Sequence, residues 1–315
     1  MIEGKKILIT GGSGFIGSAT AKLLGERNEV EILDTTYNPD FKTYKLDIID
    51  VDEETVWGAT EAIYKADIIF HMAARLGVKE VVDDVISTLE TNIVGTSNIL
   101  HTASHAHRDG FLKRVVSFST SEIYGSYAYN VGENDGAGYD DVLDRRWCYA
   151  VSKLAAEQLA FGYYRQHGLP VVVVRPFNIF GAGRGNDHAV TNFIKAALKN
   201  QDLIINGKGT QIRSWCYVDD FCDGAIKCAD NEQAIGRAFN IGNPKNTVTV
   251  YELAQTIKEL CGSRSKIIFE PNKYTDVNIR IPDINLAQKV LKYKPKISLI
   301  EGLNKTIDWV NANAV

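Results

Sequence analysis

Tyr149 and Lys153, four positions apart, are the two residues of this chain best suited to proton transfer. They lie in a stretch of helical character, and a separation of four residues places both side chains on one face of a helix. Because a lysine ammonium beside a phenol favours the phenolate, we expect Tyr149 to accept a proton near neutral pH. The same spacing also occurs on ordinary amphipathic helices, so this interpretation depends on the rest of the chain.

A glycine-rich turn near the N-terminus predicts a dinucleotide site. The apolar run from Lys5 to Thr10 predicts a buried parallel strand, and the pattern from Ser18 to Arg27 predicts a helix. Between them lie Gly11, Gly14 and Gly17, which have no Cβ. Backbone N–H groups and the helix N-terminus can therefore approach a pyrophosphate closely.

An acidic residue after the second strand indicates which dinucleotide is bound. The run from Glu29 to Leu33 predicts that strand, and Asp34 follows it, about twenty residues after the glycine turn. A carboxylate at this point accepts hydrogen bonds from the adenosine ribose hydroxyls and repels a 2′-phosphate. No arginine or lysine lies between Glu29 and Phe41 to neutralise such a phosphate. We therefore predict NAD as the cofactor, in preference to NADP.

Composition excludes several other classes. The chain has 315 residues, 23% of them charged, and a formal net charge of −4, so it lacks the basic surface of a nucleic-acid-binding protein. No apolar stretch is long enough to span a membrane, and we expect no cleavable signal. The five cysteines show no zinc-binding spacing and predict free thiols in a cytoplasmic protein. We expect no metal site, including at His101, His105 and His107.

The alternation of predicted strands and helices indicates an α/β fold with a doubly wound parallel sheet of the Rossmann type. We expect residues 1–180 to form the NAD-binding domain and residues 181–315 to form mainly a smaller α/β substrate lobe, with roughly residues 214–240 returning to the first domain. The pattern from Val82 to Ala106 predicts one long helix. Thr120, Ser121 and Glu122 follow a predicted strand, at the edge of the sheet where ligands bind.

Further motifs occur in the order seen in a known family: His71-x-Ala73-Ala74, Thr120-Ser121-Glu122-Ile123-Tyr124-Gly125, Arg175-Pro176-Phe177-Asn178, Gly207-x-Gly209-x-Gln211-x-Arg213 and Arg280-x-Pro282-Asp283-Ile284. Together with the features above, they make the chain resemble the extended short-chain dehydrogenases/reductases that modify nucleotide-sugars with NAD. These are the epimerases, dehydratases and decarboxylases. The resemblance covers essentially the whole chain and implies a nucleotide-sugar substrate, with a UDP-sugar favoured.

The resemblance also implies roles for individual residues. The residues expected to hold NAD are Gly11, Gly14, Phe15, Ile16, Gly17, Asp34, Asp47, Ile48, Ala73, Ala74, Tyr149 and Lys153. Among these, Asp47 and Ile48 would hold the adenine, and Lys153 the nicotinamide ribose. Asn178 would bind the sugar nucleotide, and Arg213 and Arg280 its diphosphate. Arg75 and Arg184 are candidates to clamp a sugar carboxylate, although each could equally be a solvated surface arginine.

The expected catalytic residues are Thr120, Ser121, Glu122, Tyr149 and Lys153. In the family that the chain resembles, the tyrosine deprotonates the sugar O4 while C4 passes hydride to NAD, and the 4-keto sugar then has several fates. The sequence Thr-Ser-Glu is similar to that of UDP-glucuronate decarboxylases, of the UDP-xylose synthase type, as are the Arg-Trp pair before Cys148 and the position of Arg280. A 4,6-dehydratase and a 4-epimerase remain alternatives, and a non-catalytic NAD sensor is a remote one.

The resemblance further implies a homodimer formed by a four-helix bundle. Two predicted helices, Val82–Ala106 and Tyr149–Gln166, carry apolar faces. The candidates for the seam between subunits are Leu89, Ile93, Ala155, Leu159 and Tyr163. Periodicity alone does not distinguish such a seam from the core of one subunit.

Overall fold

Alternating strands and helices build the chain from its first residues onward. The structure, a computed structural model, describes residues 2–50, 57–136, 138–139, 141, 143–185 and 188–313. The strands are β1 (Lys6–Thr10), β2 (Glu29–Asp34), β3 (Lys42–Lys45), β4 (Ile68–His71), β5 (Arg114–Phe118), β6 (Tyr127–Val131), β7 (Val171–Pro176), β8 (Ile179–Phe180), β9 (Leu203–Asn206), β10 (Ile212–Ser214), β11 (Cys216–Tyr217), β12 (Ala238–Ile241), β13 (Thr247–Thr249), β14 (Ile267–Glu270) and β15 (Ile279–Pro282). The α-helices are α1 (Phe15–Gly25), α2 (Trp57–Lys65), α3 (Val78–Asp83), α4 (Val85–Leu89), α5 (Thr96–Arg108), α6 (Cys148–His167), α7 (Ala189–Leu198), α8 (Val218–Asp230), α9 (Val250–Leu260), α10 (Asn285–Leu291) and α11 (Leu299–Ala312).

The central sheet has the strand order β12-β7-β5-β4-β1-β2-β3, and its described pairings are all parallel. Its inner strands are apolar throughout because both faces are covered: Val171 to Val174 in β7 are all fully buried. Helices α1 and α8 pack together on one face, and α2, α5 and α6 on the other. The predicted doubly wound α/β fold is confirmed.

The chain first builds the half of the sheet formed by β1, β2 and β3, and then the half formed by β4, β5, β7 and β12. The direction in which strands are added therefore reverses between β1 and β4. In open parallel sheets, this is the point at which a crevice opens beyond the carboxyl ends of the strands. The residues of the glycine turn follow β1 directly. The topology therefore brings that turn to the position where a ligand can enter.

Smaller sheets lie beyond β7. They have the orders β13-β10-β15-β6, β11-β8 and β14-β9, and helices α7, α9 and α11 pack together beside them. Between these pieces the chain rejoins the central sheet, since α8 packs on β5 and β7 and β12 pairs with β7. The division into a domain of residues 1–180 and a lobe of residues 181–315 stays a prediction.

The prediction of one helix from Val82 to Ala106 is wrong. Helix α3 ends at Asp83, and Asp84 leaves helical geometry with φ −136° while its side chain accepts a hydrogen bond from the N–H of Ser87 at the start of α4. A π-helical turn, Glu90–Gly95, then separates α4 from α5. The apolar positions keep a nearly helical period across these breaks, so the pattern of hydrophobic residues does not reveal them.

Three further findings concern the residues that the structure describes. None of their helices combines the length and apolar character that crossing a membrane requires. None of their His, Cys, Asp and Glu side chains form a cluster of three or more that could hold a metal ion. All five cysteines have free thiols.

Candidate active site

A cavity of about 670 Å³ opens at the carboxyl end of the central sheet. It lies beyond β1, β2, β4, β5 and β7 and is bounded on one side by α6. All the residues predicted to hold NAD line it: Gly11, Gly14, Phe15, Ile16, Gly17, Asp34, Asp47, Ile48, Ala73, Ala74, Tyr149 and Lys153. The tertiary structure therefore brings these separate segments to one place.

The glycine turn is packed too tightly for side chains. Gly11 has φ +73°, and a Cβ there would lie 2.7 Å from the backbone nitrogen of Ala73. A Cβ on Gly17 would lie 2.1 Å from the carbonyl oxygen of Gly11. Helix α1 begins directly after Gly14, so its unpaired N–H groups face the cavity edge. This arrangement fits a pyrophosphate, which such N–H groups and the helix dipole attract.

Asp34 is held beside this turn by the backbone. Its carboxylate accepts hydrogen bonds from the N–H of Ser13 at 3.0 Å and of Thr36 at 2.9 Å. These contacts fix the side chain at the end of β2, on the cavity wall. A fixed anion at this position fits the two hydroxyls of a ribose and opposes a phosphate.

Buried polar side chains support the segments that follow β4. The His71 ring, which is 1% exposed, lies between the hydroxyls of Thr10 at 2.8 Å and Thr96 at 2.9 Å. Burial lowers the pKa of His71 to about 3, so the ring is neutral at pH 7. The Thr10 hydroxyl also accepts a hydrogen bond from the N–H of Ala73 at 3.2 Å. Ala73 is thereby fixed against the glycine turn.

Asn92, in the π-helical turn, joins the cavity wall to α6. Its side chain accepts a hydrogen bond from the N–H of Arg75 at 2.8 Å and donates to the Arg75 carbonyl and the Ser152 hydroxyl, both at 3.0 Å. The Ser152 hydroxyl in turn donates to the carbonyl of Tyr149. Sequence analysis assigned no role to Asn92, because its partners are distant in the chain.

Lys153 is 2% exposed, and burial lowers the pKa of its ammonium to about 8. Tyr149 lies one helical turn earlier on α6. Burial, followed by the negative charge of Glu122, raises the pKa of Tyr149 far above its usual value, while hydrogen bonding to Thr120 and the charges of Arg146 and Arg184 lower it. The net direction opposes formation of a phenolate, and the proton transfer expected of Tyr149 and Lys153 stays a prediction.

Thr120, Ser121 and Glu122 follow β5 and form the start of a short 3-10 helix, Ser121–Tyr124. All of them are largely buried, and the Thr120 hydroxyl accepts a hydrogen bond from the N–H of Glu122 at 3.2 Å. They do not line the cavity described above. They instead adjoin a group of charged side chains on the side of the smaller sheet β13-β10-β15-β6.

Glu122 is the centre of this charged group. Its two carboxylate oxygens accept hydrogen bonds from Arg146 at 2.5 and 2.7 Å, and Arg280 lies 4.0 Å away. Arg213 pairs with Asp276 at 3.0 Å. Three arginines and three carboxylates therefore meet here, since the Asp144 carboxylate also lies beside Arg146. Arg280 is 3% exposed, and its Nε has no hydrogen-bond partner.

The other predicted substrate residues are in two places. Arg75 and Arg184 both line the cavity; Arg75 pairs with Asp84 at 3.1 Å, and Arg184 lies over the ring of Phe15 at 5.2 Å. Asn178 lies away from the cavity wall, and its side-chain amide donates to the carbonyl of Ser214 at 3.1 Å. Arg213 and Arg280 belong to the charged group around Glu122 and not to the cavity wall. Their roles in substrate binding stay predictions.

Comparison with known proteins agrees with this geometry. Residues 7–242 match the profile of the NAD dependent epimerase/dehydratase family. The chain belongs to this family. This membership confirms the resemblance seen in the sequence and the prediction of NAD as the cofactor, which the glycine turn and Asp34 fit.

Individual members of the family are similar over nearly the whole chain. A UDP-N-acetyl-alpha-D-glucosaminuronate decarboxylase of Bacillus cytotoxicus is 37% identical, with 97% of each chain covered. UDP-glucuronic acid decarboxylase 1 of Danio rerio is 35% identical over 97% of this chain and 72% of its own length. The crystal structure of UDP-glucuronic acid 4-epimerase from Bacillus cereus with UDP-glucuronic acid and NAD has a TM-score of 0.87 at 26% identity, covering 98% of this chain and 99% of that one.

Proposed function

We propose that this protein is an NAD-dependent decarboxylase of a UDP-linked hexuronic acid, of the UDP-glucuronate decarboxylase (UDP-xylose synthase) type. The observation that carries the proposal is the charged group around Glu122, with the buried, unpartnered Nε of Arg280. A buried unpaired donor is costly, and a carboxylate of the substrate would satisfy it. The names of the two relatives at 35% and 37% identity support a decarboxylase.

In the first step, Tyr149 accepts the proton of the sugar O4 as hydride leaves C4. Bound NAD supplies the hydride acceptor and later returns the hydride. Burial and the charge of Glu122 raise the pKa of Tyr149, so its proposed role as proton acceptor requires that this pKa fall when the site is filled. Thr120 and the positive charges of Arg146 and Arg184 already act in that direction, and a cationic nicotinamide adds to them.

In the second step, the 4-ketone activates the carboxylate at C6. The C5–C6 bond breaks, CO₂ leaves, and the electron pair passes to the ketone oxygen as an enolate, which then takes up a proton at C5. Arg280 is suited to orienting the carboxylate. We assign Glu122 to this stage, either in proton transfer at C5 or in orienting the sugar.

Substitution of Tyr149 and Glu122 tests this division of roles. Tyr149→Phe removes the proton acceptor, so we expect C4 oxidation to fall by about 10²–10⁴-fold and no NADH absorbance to form. Glu122→Gln keeps the shape and removes the charge, so we expect transient enzyme-bound NADH but slow release of CO₂. Wild-type CO₂ release in Glu122→Gln, or loss of its NADH transient with folding intact, would contradict the assignment.

A panel of substrates tests the reaction itself. The purified protein would be incubated with UDP-glucuronate, UDP-N-acetylglucosaminuronate, UDP-glucose and dTDP-glucose, and the products weighed by mass spectrometry. We expect loss of CO₂ from one or both sugar acids. A 4-epimerase is the second candidate, since the similar B. cereus structure is a 4-epimerase that holds UDP-glucuronic acid; a product of unchanged mass would favour it.

We also propose that the protein is a homodimer. Helix α6 packs against both α4 and α5, and the large apolar side chains Ile86, Val94 and Val151 of this region are 71%, 45% and 46% exposed. A second copy of the same region would cover them. Light scattering at micromolar protein should give twice the chain mass, and Ile86→Arg should give a monomer. A wild-type monomer would refute this assembly.

The cytoplasmic location stays a prediction that cell fractionation would test.

A further inference from the structure

The segment before α6 directs two neighbouring arginines to different environments. The Asp144 carboxylate accepts a hydrogen bond from the N–H of Arg146 at 2.9 Å and begins a short 3-10 helix, Arg145–Trp147. This turn leaves Arg145 on the surface and places Arg146 in the interior, where it is 5% exposed. Burial of an arginine is costly unless its N–H groups find acceptors.

Arg146 finds its acceptors in Glu122, 24 positions earlier in the chain. One guanidinium nitrogen donates to each carboxylate oxygen, at 2.5 and 2.7 Å. A two-point contact of this kind fixes the plane of a carboxylate, whereas a single contact leaves it free to rotate. Glu122 is therefore held by the arginine of the Arg-Trp pair.

We propose that Arg146 is a positioning residue for the proposed reaction, holding the carboxylate of Glu122 charged and in one orientation for the step that follows oxidation at C4. Arg146 acts through Glu122 and is not itself assigned to the substrate. The inference rests on the proposed function, because it concerns the later of the two steps described above.

The anchor of Arg146 also contacts the substrate lobe. The Asp144 carboxylate accepts a second hydrogen bond, from the hydroxyl of Thr275. The next residue, Asp276, pairs with Arg213. Thr275 and Asp276 thereby connect the anchor of Arg146 to Arg213.

Removal of Arg146 should change how Glu122 titrates. The charged or titratable groups that face Glu122 are Arg146 in the 3-10 helix, Cys148 and Tyr149 at the start of α6, Arg213 on β10, Arg280 on β15, and Tyr139. The carboxylates of Asp144 and Asp276 lie beside Arg146 and Arg213. Burial raises the pKa of Glu122, but the arginines, Arg146 foremost, lower it below the usual value. Without Arg146, less positive charge opposes the effect of burial, so the pKa of Glu122 rises. The acid limb of the pH profile for CO₂ release should then move to higher pH.

Three variants test the proposal kinetically, each with bound NAD and UDP-glucuronate. Arg146→Met should keep the NADH transient within a few-fold of wild type, slow CO₂ release roughly 100-fold and move the acid limb upward. Arg146→Lys keeps the charge but only one contact, so it should recover part of the rate and most of the pH profile. Arg145→Met, the exposed neighbour, is the matched control and should behave as wild type. An Arg146→Met variant indistinguishable from Arg145→Met would overturn the proposal.

A double substitution separates positioning from a merely structural role. Glu122→Gln and Glu122→Gln/Arg146→Gln should release CO₂ equally slowly, since Arg146 has no further effect once the carboxylate is absent. Rate losses that multiply would overturn the proposal. Calorimetry should find NAD affinity unchanged in each variant, and thermal unfolding without cofactor should show that the stability losses of the two single variants are not additive, because Glu122 and Arg146 contact each other directly.

The failure of the proposed function would give a different result. In that case the wild-type protein would release no CO₂ from either sugar acid. The coupling of Glu122 with Arg146 would still be measurable by thermal unfolding. The shift of the acid limb would be measured in the pH dependence of whichever product forms. Absence of both effects would refute the role of Arg146 independently of the reaction.

Discussion

Replacement of Gly17 by alanine tests whether backbone packing of the glycine turn shapes the NAD site. A Cβ at this position would lie 2.1 Å from the carbonyl oxygen of Gly11 and 2.8 Å from Cα of Gly12. Real Cβ atoms essentially never approach within 3.0 Å, so methyl and carbonyl must separate by at least 0.9 Å (3.0 − 2.1). Because both obstacles are backbone, no side chain can rotate away, and either the turn or α1 must move.

The cost of this movement sets the expected effect. Overpacking of a well-packed site typically costs about 1–3 kcal/mol. If the turn moves away from the position that the pyrophosphate requires, this cost weakens NAD binding by roughly 5- to 150-fold. If instead α1 moves in the free protein, the cost lowers the unfolding temperature, by about 2–4 °C for each kcal/mol.

Calorimetric titration with NAD and thermal unfolding without it distinguish the two outcomes. Gly58→Ala is the matched control, since it adds the same methyl group to α2, where the nearest atom outside the helix, in the Tyr44 ring, is 3.6 Å away. We expect the control to match or slightly exceed wild-type stability and to bind NAD normally. A Gly17→Ala protein with wild-type NAD affinity and wild-type unfolding temperature would refute the packing argument.

Three further predictions concern the same site. Asp34→Asn should weaken NAD binding and reduce the preference for NAD over NADP, because the fixed negative charge is lost. The ratio of the NADP dissociation constant to the NAD dissociation constant should fall about tenfold, and an unchanged ratio by calorimetry would contradict this prediction. NAD affinity should fall, by at most about tenfold per pH unit, as the pH rises through about 8, because Lys153 loses its positive charge there. Lys153→Met should abolish this pH dependence. Asn92→Ala should lower the free energy of unfolding by about 1–3 kcal/mol and weaken NAD binding, because it leaves the N–H and carbonyl of Arg75 unpaired; denaturant titration with wild-type stability would contradict it.

Much of the NAD site could be predicted from the sequence because its chemistry depends on local features. The glycine turn, the strand before it and the helix after it are contiguous, and Asp34 follows one strand later. Tyr149 and Lys153 are one helical turn apart, so their shared face needs no tertiary information. The parallel sheet follows from the alternation of elements, which leaves few possible topologies.

Other features were decided only by the tertiary structure. The π-helical turn that carries Asn92 is not visible in the hydrophobic pattern. The role of Asn92 depends on its contacts with Arg75 and Ser152, which lie 17 and 60 positions away in the chain. The pairing of Glu122 with Arg146 likewise needs the fold to bring β5 and the start of α6 together. The Arg-Trp pair marks Arg146 in the sequence, but only the fold shows that Arg146 is buried against Glu122 while Arg145 is exposed.

The titration of Tyr149 shows the physical reason for this division. Spacing along a helix predicts which groups are neighbours, and that part of the interpretation concerned only Tyr149 and Lys153. The pKa, however, depends on the loss of solvent and on the summed field of every nearby charge, which includes Glu122, Arg146 and Arg184 from distant parts of the chain. The sequence by itself determined the residue types and their local order. Burial and long-range charge, which shift the pKa of Tyr149, are properties of the folded protein alone.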